Sequence, residues 1–275
     1  MRLVVFGASG ATGRHVVSLA AKDGWSVRAV VRSEAQRSTL TGADEPILGD
    51  PTEPADVARV MGGADAVAVC LGISRRTRSP FAPLVSPADL TSRSVATIVQ
   101  AMQREGVRRI VYVSAFGAGD SWPRIPWWGR AFLRLSQVRH SMLDHTRSER
   151  LLAGSGLEWT ALRPMLLDDA PSALPAQEMR PGDSLLSKVS RESLARRVVA
   201  VLGEPLTHGR AVALVAGKAH MSATTTSSSN SDRRHAAHPG HRRRTRPART
   251  AAVQSCQRGP SGIGGWYRQR RPARA

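Results

Sequence analysis

Apolar and polar positions fall in blocks whose period changes along the chain. Short apolar runs rich in Val and Ile recur at residues 2–6, 26–31, 46–48, 65–71, 108–114, 158–163 and 211–215. Runs so uniformly apolar predict strands covered on both faces, as in a parallel sheet. Between them, over 11–22, 53–60, 87–105, 137–155 and 191–203, the apolar residues return at about 3.6-residue spacing, which predicts helices. The resulting β-α-β-α rhythm predicts an α/β fold with a doubly wound parallel sheet, in a single domain over residues 1–217.

The rhythm stops near Gly217, and composition changes with it. Residues 218–275 are rich in Ser, Thr, Arg, Pro and Gly without a periodic apolar face, so they read as a disordered Arg-rich tail. That tail holds 13 of the 40 Lys and Arg against one acid, Asp232, and so supplies +12 of the formal net charge of +19. The basic balance therefore says little about the folded part. "HRRRTRPAR" in the tail could neutralise phosphates without sequence preference, but with only Trp266 and Tyr267 for stacking it gives no specific nucleic-acid readout. A shifted reading frame in GC-rich DNA would produce the same composition, so no function is assigned to it.

Cys70 and Cys256 are too few for a disulfide framework or a thiolate metal site. No apolar run approaches the ~18 residues of a membrane span, and no export-type segment opens the chain. These features predict a cytoplasmic protein with neither a metal nor a membrane partner.

The candidate chemistry begins at "GASGATG", where Gly7, Gly10 and Gly13 follow the first strand and open the first helix. In that context the spacing is a dinucleotide fingerprint of the Rossmann type: a tight turn at Gly7, an unobstructed backbone at Gly10, and close helix packing at Gly13. The helix N-terminus attracts a pyrophosphate, with Ser9 and Thr12 adding hydroxyls. The second strand ends in Arg32 and Ser33 where an NAD-selective fold places an acid, which predicts NADP and a preference for NADPH over NADH.

Together with "GASGATGR", the stretches "VRS" (31–33), "LGDPTEP" (48–54), "SAFG" (114–117) and "DHTRSERLLAGSGLEWTALRP" (144–164) resemble an atypical short-chain dehydrogenase of the NAD(P)H-binding, NmrA-like group. The chain is most similar to flavin reductase/biliverdin reductase B-like members, over about residues 1–217. The resemblance implies that Asp50 contacts the adenine amino group and that Cys70–Gly72 flank the cofactor. It also implies that Ser114 lies beside the nicotinamide, with Arg163 and Pro164 on the same side.

The chain departs from that group's Tyr-x-x-x-Lys pair. Its lysines are Lys22, Lys188 and Lys218, and its tyrosines, Tyr112 and Tyr267, are followed four residues on by Phe116 and Arg271. Aligned on Glu149, the Lys position holds His145 and the Tyr position Ser141. Ser114 and His145 are thus the catalytic candidates, expected to face one cleft, the imidazole as a ribose contact or proton donor. A solvated surface His and a structural strand-end Ser are the plain alternatives. Trp122, Trp127, Trp128 and Phe132, in a segment read as a Pro-interrupted loop over 121–135, either wall a pocket for a flat apolar substrate or cover a sheet edge or dimer contact.

Two functions fit these residues: an NADPH-dependent oxidoreductase passing a hydride to a small planar or carbonyl acceptor such as a flavin or quinone, or a non-catalytic NAD(P) sensor with a protein partner.

Overall fold

The computed structural model of the chain describes residues 1–217. Strands β1 (Arg2–Phe6), β2 (Ser26–Val31), β3 (Glu45–Leu48), β4 (Ala66–Val69), β5 (Arg109–Val113), β6 (Glu158–Pro164), β8 (Gln177–Glu178) and β10 (Arg210–Val215) form one sheet in the order β3-β2-β1-β4-β5-β6-β10-β8. All pairings are parallel except that of β10 with β8. The short strands β7 (Leu166–Asp168) and β9 (Lys188–Ser190) pair in parallel beside it. The order reverses between β1 and β4, and such a switch point leaves a crevice at the carboxyl ends of those strands.

Helices cover both faces because the strand side chains are apolar on both. Alternate residues of β1 divide between two core layers, Leu3 and Val5 facing one and Val4 and Phe6 the other. The first layer is closed by α1 (Gly13–Lys22) and α7 (Arg191–Leu202), which pack together, and the second by α3 (Pro54–Met61), α4 (Leu90–Glu105) and α6 (Val138–Ala153). Burying apolar area in each layer at about 25 cal/mol per Å² holds the sandwich together.

The predicted strands and helices lie within a few residues of the observed ones. The segment 121–135 does not remain a loop. Residues Gly119–Arg124 form a 3-10 turn, and Trp127–Leu135 form the amphipathic helix α5. Pro126 stands at the N-cap of α5, where its missing N–H costs nothing, so a proline that looked like an interruption opens the helix. A one-turn helix, α2 (Glu34–Arg37), and the strands β7 to β9 are too short for any period to show in the sequence. The tail predicted to be disordered lies outside the described residues.

Candidate functional site

The crevice at the switch point is a cavity of about 200 Å³ bordered by the ends of β1, β2, β3 and β4, among them Gly7, Ser9, Gly10, Arg32, Asp50 and Gly72. Gly7 has φ +76°, and a Cβ there would lie 2.7 Å from the Cys70 carbonyl oxygen. A Cβ on Gly13 would fall 2.1 Å from the Gly7 oxygen. The turn and the start of α1 therefore lock together, which is the physical reason for glycine at both positions. The amide of Gly10 donates to Gly7 O at 3.0 Å, and those of Arg14 and Val16 enter the first helical turn through Gly10 and Thr12. Thr12 is the N-cap of α1 and makes no side-chain cap bond. The Gly7–Gly10 turn that leads into α1 thus lies at the crevice, on the side of the positive end of the helix dipole.

Arg32 ends β2 with an exposed side chain that makes no ion pair among the described residues, while its backbone amide donates to Gln36 Oε1 at 3.0 Å. The neighbouring Arg37 is engaged by Glu34 at 3.1 Å. Ser33 is the N-cap of α2, its Oγ accepting from the Gln36 amide at 3.4 Å. Asp50 holds a local turn in which Oδ1 accepts from the Thr52 amide at 2.8 Å and the Thr52 hydroxyl at 2.7 Å. Those bonds, with the positive fields of Arg32 and Arg93, keep its carboxylate below the usual range, so it is an acceptor at neutral pH. Gly72 lines the cavity, but no protein atom would meet a Cβ there. Desolvation pushes the Cys70 thiol up to about 12, so it is protonated at neutral pH.

Neither Ser114 nor His145, expected to face one cleft, is among the residues lining this crevice, and both are buried. Ser114 Oγ donates to Glu149 Oε1 at 2.7 Å. The same carboxylate takes a fork of bonds from Arg163, Nε at 2.8 Å and Nη2 at 2.6 Å, and Arg163 Nη1 reaches Asp120 at 2.6 Å. Arg163 is therefore consumed by an internal network instead of reaching into the crevice. Pro164 is buried, its carbonyl accepting from the Phe116 amide at 3.0 Å.

His145 is 8% exposed, with Nδ1 bonded to Tyr112 Oη at 2.5 Å. Desolvation holds the imidazole below its ordinary value despite Asp144 and Glu149 nearby. The inward face of α6 carries Asp144, His145, Ser148, Glu149 and Leu152, and its register over β5 sets His145 on Tyr112. Glu149, read from the sequence only as an alignment anchor, is the hub of the network. The signal was the i, i+4 spacing of His145 and Glu149 on one helix face.

Beyond the buried network, the ends of β5 and β6 open into a second cavity of about 360 Å³, walled by Phe116, Trp128, Phe132, Met142, Met165 and Leu186 among others. None of its lining residues is titratable. β4 and β5 are neighbours, so the two cavities lie on adjacent strand ends along the carboxyl edge. Among the described residues, no cluster of His, Cys, Asp and Glu could hold a metal ion, and no helix is long and apolar enough to cross a membrane.

Residues 7–205 match the model of the family described as NAD(P)H-binding. The protein named as uncharacterized sugar epimerase YhfK of Bacillus subtilis (strain 168) is 28% identical over 220 residues, 79% of this chain and 95% of its own. Sanguinarine reductase of Eschscholzia californica is 26% identical over 204 residues, 62% of this chain and 70% of its own. The solved structure of ChuY, an anaerobillin reductase from Escherichia coli O157:H7, superposes with a TM-score of 0.64 at 21% identity, covering 78% of this chain and 97% of that one. With the glycine turn, the switch-point crevice and a family match over most of the described residues, the chain belongs to the NAD(P)H-binding family.

Proposed function

We propose that the protein is an NADPH-dependent reductase of a small planar acceptor of the flavin or quinone kind. The observation that carries this reading is the apolar cavity at the ends of β5 and β6, which has aromatic walls and no titratable lining. A site without a proton donor suits an acceptor that takes a hydride directly and collects its proton from water. When bound, NADPH would supply that hydride. The reductase names borne by the Eschscholzia and Escherichia relatives support the same reaction class. The epimerase name of the Bacillus protein fits less well, because moving protons on a sugar carbon needs a base in the cavity.

The glycine turn and α1 fit a pyrophosphate, Asp50 fits the adenine amino group, and Arg32 fits the 2′-phosphate that separates NADPH from NADH. Ser114, Glu149 and Arg163 hold the end of β5 in place. His145, bonded to Tyr112, does the same from α6, so these are positioning residues in our reading. The aromatic walls orient a flat ring. Steady-state NADPH oxidation with a panel of flavins and quinones tests the proposal: turnover with at least one planar acceptor, and slower turnover with NADH, is expected. Tight NADPH binding with no acceptor reduced would overturn it in favour of a cofactor sensor.

A further inference from the structure

The outer face of α5 extends beyond the cavity that it partly walls. Trp127 is 74% exposed, Leu135 79%, Trp128 56% and Phe132 46%. At about 100° per residue, positions 127, 131, 135, 128 and 132 form one continuous apolar arc of about 140°. That arc faces solvent where a surface helix would normally be polar. One edge of it, Trp128 and Phe132, also lines the apolar cavity. Exposed Leu166 and Leu186 line the same cavity, so the arc runs into its mouth.

The charges on α5 itself are all of one sign, and the exposed Asp120 that precedes it in sequence is paired with Arg163. From Ser121 to Leu143 the chain carries Arg124, Arg130, Arg134 and Arg139 and no acid. Arg130 and Arg134 fall at the edge of the arc next to Trp127. The Arg124 guanidinium lies 5.4 Å from the Phe116 ring centroid, and that of Arg134 5.6 Å from that of Trp122. The nearest acid onward, Asp144, is buried and accepts from the amides of Thr91 and Ser92, so it offers these arginines no counter-charge.

We infer that α5 is an interfacial helix that docks the mouth of the apolar cavity onto an anionic lipid bilayer. Exposed Trp and Leu beside a row of Arg are the composition that binds such a surface, the rings entering the headgroup boundary while the guanidinium groups meet lipid phosphates. A second copy of the chain, or its own Arg-rich C-terminal sequence, would bring more positive charge to this face. The docking stands independently of the reductase reading. Resting on that reading, it further assigns the acceptor as one dissolved in the membrane, entering from the bilayer without crossing water.

Full-length protein mixed with vesicles of phosphatidylglycerol or phosphatidylcholine tests the docking, read by quenching of Trp fluorescence by brominated acyl chains. Quenching is expected with the anionic vesicles. The double variant Trp127→Ser/Leu135→Ser should abolish it, and Arg130→Gln/Arg134→Gln should weaken binding roughly thirtyfold, at about 1 kcal/mol per Arg near an anionic surface. Sedimentation with vesicles without quenching, unchanged in these variants, would mean adhesion through the C-terminal sequence and would overturn the proposal. Loss of quenching counts only if the variants keep the wild-type melting temperature; variants that melt early are replaced by Trp127→Phe, which should remove part of the quenching. With the reductase assay, the Ser variants should slow NADPH oxidation by a long-chain quinone in vesicles and leave a short-chain soluble quinone unaffected. Quenching with neither quinone reduced would sink the reductase reading and leave the docking intact.

Discussion

Arg32 is the residue on which cofactor choice turns in our reading. Its guanidinium is exposed just after β2 without an ion pair among the described residues, and the crevice's carboxylate, Asp50, is engaged by Thr52. A charge-assisted bond of this kind contributes roughly 1.5–3 kcal/mol, so Arg32→Ala should weaken NADPH binding roughly tenfold to a hundredfold and change NADH little. Titration calorimetry with both nucleotides checks this, and equal losses would remove Arg32 from the 2′-phosphate. Glu149 makes a different kind of contribution. It holds Arg163 by two bonds and Ser114 by a third, all buried. Removing one partner of a buried ion pair costs about 3–5 kcal/mol, whereas losing one hydrogen bond to a charged group costs about 1.5–3 kcal/mol. Thermal melts should therefore place Glu149→Ala below Ser114→Ala, by roughly 4–8 °C at a difference of about 2 kcal/mol in a domain of this size. Similar melting temperatures would mean the network contributes little.

At the scale of elements, α6 joins the site to the core through two pairs one turn apart, His145 on Tyr112 and Glu149 on Ser114. Burial depresses the His145 imidazole below its ordinary 6.5, against the opposing fields of Asp144 and Glu149. In the unfolded chain this His takes up a proton as pH falls through about 6.5, while the folded protein resists until lower pH. The unfolded state binds more protons in that window, so the contribution to stability is complete above it and declines as pH falls below it. Urea unfolding at pH 7.5 and 5.5 should show a larger loss for the wild type than for His145→Phe. The same pH difference in both would assign the acid sensitivity elsewhere.

For the whole molecule, β10 completes the main sheet and ends at Val215, paired with β6 and β8. Every described strand of that sheet lies before residue 218, so deleting 218–275 should leave the melting temperature and NADPH affinity unchanged. A marked drop on truncation would show that this region packs on the domain. The alternation of apolar runs with helical periods was enough to define the doubly wound sheet, because strands such as β1 and β4 must bury both faces and helices such as α4 only one. The glycine turn at the crevice was legible for a local reason: Gly7, Gly10 and Gly13 constrain one another within seven residues. The rest depended on distance in sequence. Whether a Ser at the end of β5 meets a ligand or a carboxylate is settled by the register of α6, some 35 residues on. Whether His145 is a surface or a buried group is settled by Tyr112 beneath it. The aromatic positions of 121–135 showed that a wall or a cover existed, but a nine-residue helix opened by a proline only shows which rings point outward once it packs. Periodicity and backbone constraint are properties of neighbouring residues and can be read along the chain. The partner of a buried polar group, and the exposure of an apolar one, belong to the packing of elements far apart in sequence.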